Sequence, residues 1–210
     1  MTDQQPHEPV GVGPHPEPWP DDPRLDPTLL AEGDRRNVLD RYRYWSVEAI
    51  VADLDPKRHA FHVAIENWQH DLNIGTVVRT ANAFLAAEVH IVGKKRWNRR
   101  GAMVTDRYQH VRHHPSVEDF VTWSDEAGIT RVGIDNLPGS GRLEIDPLPR
   151  NCVLVFGQEG PGLSDAMKAA ISDCRSIAQF GSTRSMNAGV AAGIAMHTWI
   201  QQHADLTSAD

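Results

Sequence analysis

The chain has 210 residues, 40% of them hydrophobic, which is enough for one domain with a buried core plus a tail. No stretch approaches the roughly 20 apolar residues of a membrane span, and the N-terminal residues lack a secretory pattern, so a cytoplasmic protein with no membrane partner is expected. The formal net charge of −7 argues at first against a nucleic-acid partner, because phosphate binding is built on Lys and Arg.

That charge is unevenly placed. Residues 1–34 hold eight acidic residues against Arg24 alone, and residues 35–210 balance at 20 basic against 20 acidic. The 1–34 stretch is also rich in proline and poor in large apolar side chains, so a disordered acidic tail is expected. Residues 35–58 form an N-terminal helical extension, with a helix over 35–54 that breaks near Ser46. From there to residue 205 the pattern alternates. Strand-like runs fall at 61–67, 88–93, 131–135, 152–157 and 175–180, and helical segments at 74–86, 116–127, 164–172 and 187–203. Strands alternating with helices predict an α/β domain: a mostly parallel sheet with helices on both faces.

Two segments of this domain carry charge that bears on function. In the helix 74–86, Ile74, Val77, Val78, Ala81 and Leu85 fall on one stripe, and Arg79 points well away from it. A solvated charge is the default for such a position; a residue facing a site is the alternative. The segment 94–112 carries seven basic residues and one acid, Asp106. Lys94, Lys95, Arg96, Arg99 and Arg100, with Trp97 and Tyr108 among them, suit an RNA backbone and its bases. An ordinary charged loop would read the same way.

Cys152 and Cys174 stand alone and read as free thiols. The tightest histidine group, His110, His113 and His114, has no cysteine or HExxH companion, so no metal is expected.

Three segments combine polar residues with tight turns. NIGTVVRTAN (73–82) follows a strand, and Asn73 is placed to cap its helix. LVFGQEGPGLS (154–164) is a strand, a glycine-rich turn and a helix capped by Ser164, with Glu159 in the middle of the turn. The glycines permit positive φ and close backbone approach to a ligand. It is neither a phosphate loop nor a dinucleotide fingerprint, since no Lys-Ser/Thr pair follows and the spacing runs Gly157, Gly160, Gly162. SIAQFGSTRSMNAGVAAGIAMH (176–197) ends a strand in a polar loop before a helix of small residues. Ser185 and Asn187 are candidate caps there, and the Ala/Gly run lets that helix pack closely on a neighbour.

In order and spacing these segments resemble the SpoU/TrmH family of SPOUT RNA 2′-O-ribose methyltransferases over residues 60–203. The first motif is carried by Asn73, Gly75, Arg79 and Thr80, and the second by Gly157, Glu159, Gly160, Gly162 and Leu163. The third is carried by Ile177, Gly181, Ser185, Met186 and Asn187. Departures are Ala178 for proline, Met186 for leucine, and Ala188–Gly189 for Val-Ser.

The resemblance implies a SPOUT domain over 59–205 with a C-terminal deep trefoil knot. It implies S-adenosylmethionine as cofactor, held at Gly157, Gly160, Gly162, Ile177 and Met186, and no metal. Arg79 would be the principal catalytic residue, with Asn73, Glu159, Ser185 and Asn187 around it. Arg79, Lys94, Lys95, Arg96, Arg99 and Arg100 would bind RNA. A homodimer is implied, and the lack of a visible added RNA-binding module favours tRNA over rRNA. The alternative is a catalytically inactive RNA-binding SPOUT protein.

Overall fold

The structure, a computed structural model, describes residues 11–68, 73–158 and 160–208. The chain divides into two units, one up to Pro56 and one from Lys57.

In the first unit, residues 11–34 are ordered where disorder is expected from composition. Helix α1 (Pro27–Glu32) starts at Asp26, whose carboxylate accepts from the amides of Thr28 and Leu29, and ends at Gly33 with φ +91. Val12 and Asp34 exchange backbone hydrogen bonds of 2.9 Å in each direction. The Asp34 side chain is fully buried and accepts from Arg36 Nε (2.9 Å), Arg36 Nη2 (2.7 Å) and the Tyr44 amide (3.0 Å). Burial alone would raise its pKa, but those donors outweigh it and hold the carboxyl at about 2. The ordering thus rests on a buried carboxylate hub that apolar content does not register, and Leu30, Tyr42 and Ile50 are also buried in this unit.

The helix expected over 35–54 is present only past its break. A single 3₁₀ turn (Asp40–Tyr42) precedes Ser46, which caps helix α2 (Val47–Leu54) by accepting from the Ala49 amide. Tyr42 turns inward and its hydroxyl donates to Asp53 at 2.7 Å.

Asp34 yields a pH prediction. Its folded pKa lies below the ordinary 3.8, so its contribution is complete above that value and is lost as pH falls through about 2. Hydrogen exchange should show the Val12 and Asp34 amides protected at pH 4 and exposed as pH drops through about 2. Asp34→Ala should remove that protection at neutral pH, and protection that survives the substitution would deny Asp34 its role as hub.

In the second unit the strands are β1 (His62–Asn67), β2 (Val89–Gly93), β3 (Val111–His114), β4 (Thr130–Ile134), β5 (Gly141–Arg142), β6 (Cys152–Phe156) and β7 (Asp173–Ser176). They form one seven-stranded sheet, ordered β3-β2-β1-β6-β4-β7-β5 and parallel at every pairing. The helices are α3 (Ile74–Ala83), α4 (Val117–Glu126), α5 (Asp165–Ala170) and α6 (Ala188–His203). Val63 and Ile65 of β1 join the core shared with α3 and α6, whereas Ala64 joins the core shared with α4 and α5. The expected architecture is therefore present, with both sheet faces covered.

Helix α3 shows how packing overrides propensity. Its Ile, Val and Thr residues and Gly75 are mediocre helix formers, each costing up to about 0.7–1 kcal/mol relative to Ala. Ile74, Val77 and Val78 are fully buried, worth about 1.5–3 kcal/mol each, so burial wins. Leu85, expected on the same stripe, lies past the helix end with φ +51.

Three strand expectations shift. Strand β3 starts at the end of the basic segment and runs past it, and VRHH has no apolar alternation to announce it. Strand β5 has only two residues. Strand β7 ends at Ser176 rather than 180, because beyond it the Ala178 amide leaves the ladder and donates to Glu144 at 2.8 Å.

Candidate active site

A cleft of about 360 Å³ opens outside the carboxyl ends of β4, β6 and β7, where parallel α/β sheets place their ligand sites. Three loops line it. The first, after β4, contributes Asp135 and Asn136. The second, after β6, contributes Gly157, Gln158, Gly160 and Gly162. The third, between β7 and α6, contributes Ile177, Gln179, Ser185, Met186 and Asn187. Ile134, Phe156, Ile177 and Met186 make part of the wall apolar.

The glycine turn closes on itself. Gln158 and Gly162 exchange backbone hydrogen bonds of 3.0 Å, and Gly160 and Gly162 have φ +92 and +71. At Gly157 a Cβ would sit 2.0 Å from the carbonyl carbon of Gly162, so only glycine fits. Two carboxylates hold this turn, Asp135 from the first loop and Glu66 from β1. Asp135 accepts from the Leu163 amide at 3.1 Å. Glu66, fully buried at the end of β1, accepts from the Ser164 amide at 2.7 Å and from Trp68 Nε1 at 2.8 Å. Ser164 caps α5 as expected, accepting from the Met167 amide. Asn136 Nδ2 donates to the Arg184 carbonyl at 3.0 Å, so the first and third loops are also tied together.

The first and third motifs meet through one hydrogen bond. Asn187 caps α6 by accepting from the amides of Gly189 and Val190, and its Nδ2 donates to Asn73 Oδ1 at 2.9 Å. Asn73 stands at the start of α3 but makes no side-chain cap there, contrary to expectation, because its carbonyl oxygen is used by Asn187. The small residues of α6 do pack closely on a neighbour. A Cβ on Gly189 would lie 3.2 Å from Thr76 Cγ2, and Gly193 faces Thr80. Gly189, a departure from the family pattern, is thus explained by contact with α3.

Arg79 is exposed on α3, on the side away from the buried stripe, and is not part of the cleft lining. Ser185 is exposed and lines the cleft. Glu159 lies outside the described residues.

Lys94, Lys95, Arg96, Arg99 and Arg100 are all exposed. Asn67, fully buried at the end of β1, holds this segment by donating to the carbonyls of Lys94 (2.7 Å) and Arg96 (2.8 Å). The 3₁₀ turn Arg99–Ala102 is pressed against the first turn of α3, since a Cβ on Gly75 would lie 2.8 Å from Gly101 Cα and the Ala102 amide. Gly75 therefore brings the basic turn beside the helix that carries Arg79. The aromatic residues do not serve as expected. Tyr108 is 7% exposed and Trp97 packs on the core, so neither is a free stacking platform. Arg99 also pairs with Asp106 at 3.3 Å, an exposed contact of small energy that a phosphate can replace.

Glu66, Asn67 and Asp135 share one faint sequence signal: each is a polar residue at or just past the carboxyl end of a strand. Among the described residues no helix is long and apolar enough to cross a membrane.

The model of the SpoU rRNA Methylase family matches residues 60–197. An uncharacterized tRNA/rRNA methyltransferase of Mycobacterium ulcerans is 29% identical over 164 residues, covering 74% of this chain and 51% of that protein. The chain thus spans about half the length of that relative. Among solved structures, the AdoMet-bound rRNA methyltransferase of Sinorhizobium meliloti is similar with a TM-score of 0.61 and 26% identity, over 72% of this chain and 59% of that one. The TrmH/SpoU tRNA modifying enzyme of A. aeolicus shares the fold, with a TM-score of 0.64 and 19% identity over 74% of this chain and 81% of that one.

Proposed function

Because the chain belongs to the SpoU rRNA methylase family, we propose that it transfers a methyl group from S-adenosylmethionine to a ribose 2′-hydroxyl of RNA. The observation that carries this reading is the convergence of the three motifs: two line one cleft, and the third is joined to it through Asn73 and Asn187.

The cleft suits the cofactor. Its volume falls in the range of small-ligand sites. Its glycine turn offers main-chain groups, and Ile134, Phe156, Ile177 and Met186 offer apolar surface for an adenine. S-adenosylmethionine, when bound, supplies a methyl group on a sulfonium that an alcohol oxygen can attack. The chain's residues position the alcohol and deal with its proton. An arginine is a poor base at its ordinary pKa. Arg79 is therefore assigned to grip a substrate phosphate bidentately, while that phosphate or a neighbouring group accepts the 2′-hydroxyl proton. Ser185 orients the ribose, and Glu159 is assigned to the same site. The trefoil knot and a homodimer with the site at the subunit interface belong to the same proposal. The position of Arg79 outside the lining of its own cleft supports the latter. The inactive RNA-binding alternative rests on the departures at Ala188 and Gly189, of which Gly189 packs on Thr76.

The test is methyl transfer from labelled S-adenosylmethionine to RNA, followed by maps of 2′-O-methylation in tRNA and rRNA with and without the gene. Label in ribose is expected, at a position that the strain without the gene lacks. Cofactor binding with no transfer to either RNA would support the inactive alternative.

The basic turn has its own test. Arg99→Ala with Arg100→Ala should weaken RNA binding and flatten its salt dependence by about one unit per lost phosphate contact. Cofactor affinity should not move. An unchanged salt slope would make the turn an ordinary charged surface.

A further inference from the structure

On the face of the sheet opposite α3 and α6, side chains from β1, β2 and the residue just before β2 converge. In the parallel register Ala64 lies beside His90. His62, two residues earlier on β1, therefore lies beside Glu88, two residues earlier than His90 and on the same face. His62 Nδ1 and His90 Nε2 are 3.0 Å apart, His90 Nε2 and Glu88 Oε2 are 3.8 Å apart, and the three ligand atoms all lie within 4.8 Å of one another. We infer that His62, Glu88 and His90 form a binding site for a divalent transition-metal ion, zinc(II) foremost, that clamps β1 to β2.

The donor chemistry fits. Two imidazoles and one carboxylate are a common ligand set for zinc, and metal–nitrogen bonds of about 2.0–2.1 Å place neighbouring ligand atoms roughly 3 Å apart.

The surroundings fit as well. A ligating histidine is normally held by a hydrogen bond at its other ring nitrogen. His90 Nδ1 meets His114 Nε2 at 2.9 Å, and with His114 as the acceptor the His90 Nε2 lone pair is turned toward His62 and Glu88. The His90 ring lies against Trp123 with centroids 3.9 Å apart, which fixes its plane. Arg112 Nε donates to Glu88 Oε2 at 3.0 Å and orients the carboxylate, though its charge opposes the ion. His90 is fully buried, whereas His62 and Glu88 are half-buried, which leaves a way in from solvent. The cluster sits near the amino ends of β1 and β2, and the cleft lies at the carboxyl ends of other strands. A fourth position would be left to water, and the metal takes no part in the proposed methyl transfer.

The experiment uses the tag-free full chain, stripped with chelator and titrated with Zn²⁺ and Co²⁺. One equivalent of Zn²⁺ should bind, and Tm should rise by several degrees when Zn²⁺ is about 100-fold above Kd. Co²⁺ should bind with visible absorption typical of mixed nitrogen and oxygen ligands. His62→Ala and Glu88→Gln, both near the surface and expected to fold, should each weaken Zn²⁺ binding at least about 10-fold and abolish the Tm rise. His110→Ala should change neither. The absence of saturable binding would overturn the proposal. So would binding that survives both substitutions, because the ion would then sit elsewhere.

Discussion

Arg79→Ala is expected to lower kcat by roughly 10²-fold or more while folding and S-adenosylmethionine affinity stay near wild type. The residue is exposed and lies off the buried stripe of α3, so its truncation opens no cavity and should cost little stability. It is also absent from the lining of the cleft proposed for the cofactor. What it loses in the proposed mechanism is the grip on a substrate phosphate, an interaction used mainly in the transition state. Arg79→Lys should rescue poorly, because a point charge cannot reproduce the guanidinium fork. Steady-state kinetics, cofactor calorimetry and a melting curve on the same sample separate the possibilities. Near-normal turnover in Arg79→Ala would reduce the residue to a solvated surface charge.

The second large effect is expected from Gly157→Ala, as a loss of S-adenosylmethionine affinity of about 10²-fold or more, equal to about 2.7 kcal/mol. A methyl group there would meet the Gly162 carbonyl carbon at 2.0 Å, the Leu163 amide nitrogen at 2.2 Å and the Gly162 carbonyl oxygen at 2.3 Å. All three are backbone atoms, so no side-chain rotation relieves the clash. The turn must open, which breaks the Gln158–Gly162 pair and the Leu163 contact with Asp135. Gly160→Ala provides the graded comparison. A Cβ there meets nothing within 4 Å, and only the φ of +92 opposes it, a strain of about 1–2 kcal/mol. Its loss of affinity should accordingly be about 10-fold. Circular dichroism should show the sheet intact in both variants. If Gly157→Ala bound the cofactor like wild type, the main-chain cradle would not be in this cleft.

Elements with strong periodicity were legible in the sequence, often to within a residue or two at their starts. The strands 62–67 and 152–156 and the helices 74–83 and 117–126 each carry enough apolar residues at the right spacing to announce themselves. The misses have one kind of cause. Composition undervalues residues 11–34, because the buried Asp34 with Arg36 and Tyr44 adds order that apolar content does not register. Edge strand β3 reads as a charged loop because its side chains alternate no apolar face. Of the candidate site residues, Gly157, Gly160, Gly162, Ile177, Ser185, Met186 and Asn187 do share one cleft. Asn73 occupies its expected place with a different hydrogen bond.

By itself the sequence determined the class of the domain, the starts of α5 and α6 at Ser164 and Asn187, and the presence of a glycine-rich turn between β6 and α5. These are local properties, decided by φ preferences, caps and periodicity within a few residues. Only the tertiary structure decided which loops meet. The strand order β3-β2-β1-β6-β4-β7-β5 puts β6 beside both β1 and β4 and thereby sets the glycine turn against Glu66 and Asp135. Asn73 and Asn187 are 114 residues apart in the chain and 2.9 Å apart in space. The histidine group that looked tightest in sequence was His110, His113 and His114, whereas the cluster that forms is His62, Glu88 and His90. Parallel strands are joined by long crossovers, so which side chains become neighbours depends on sheet order and register.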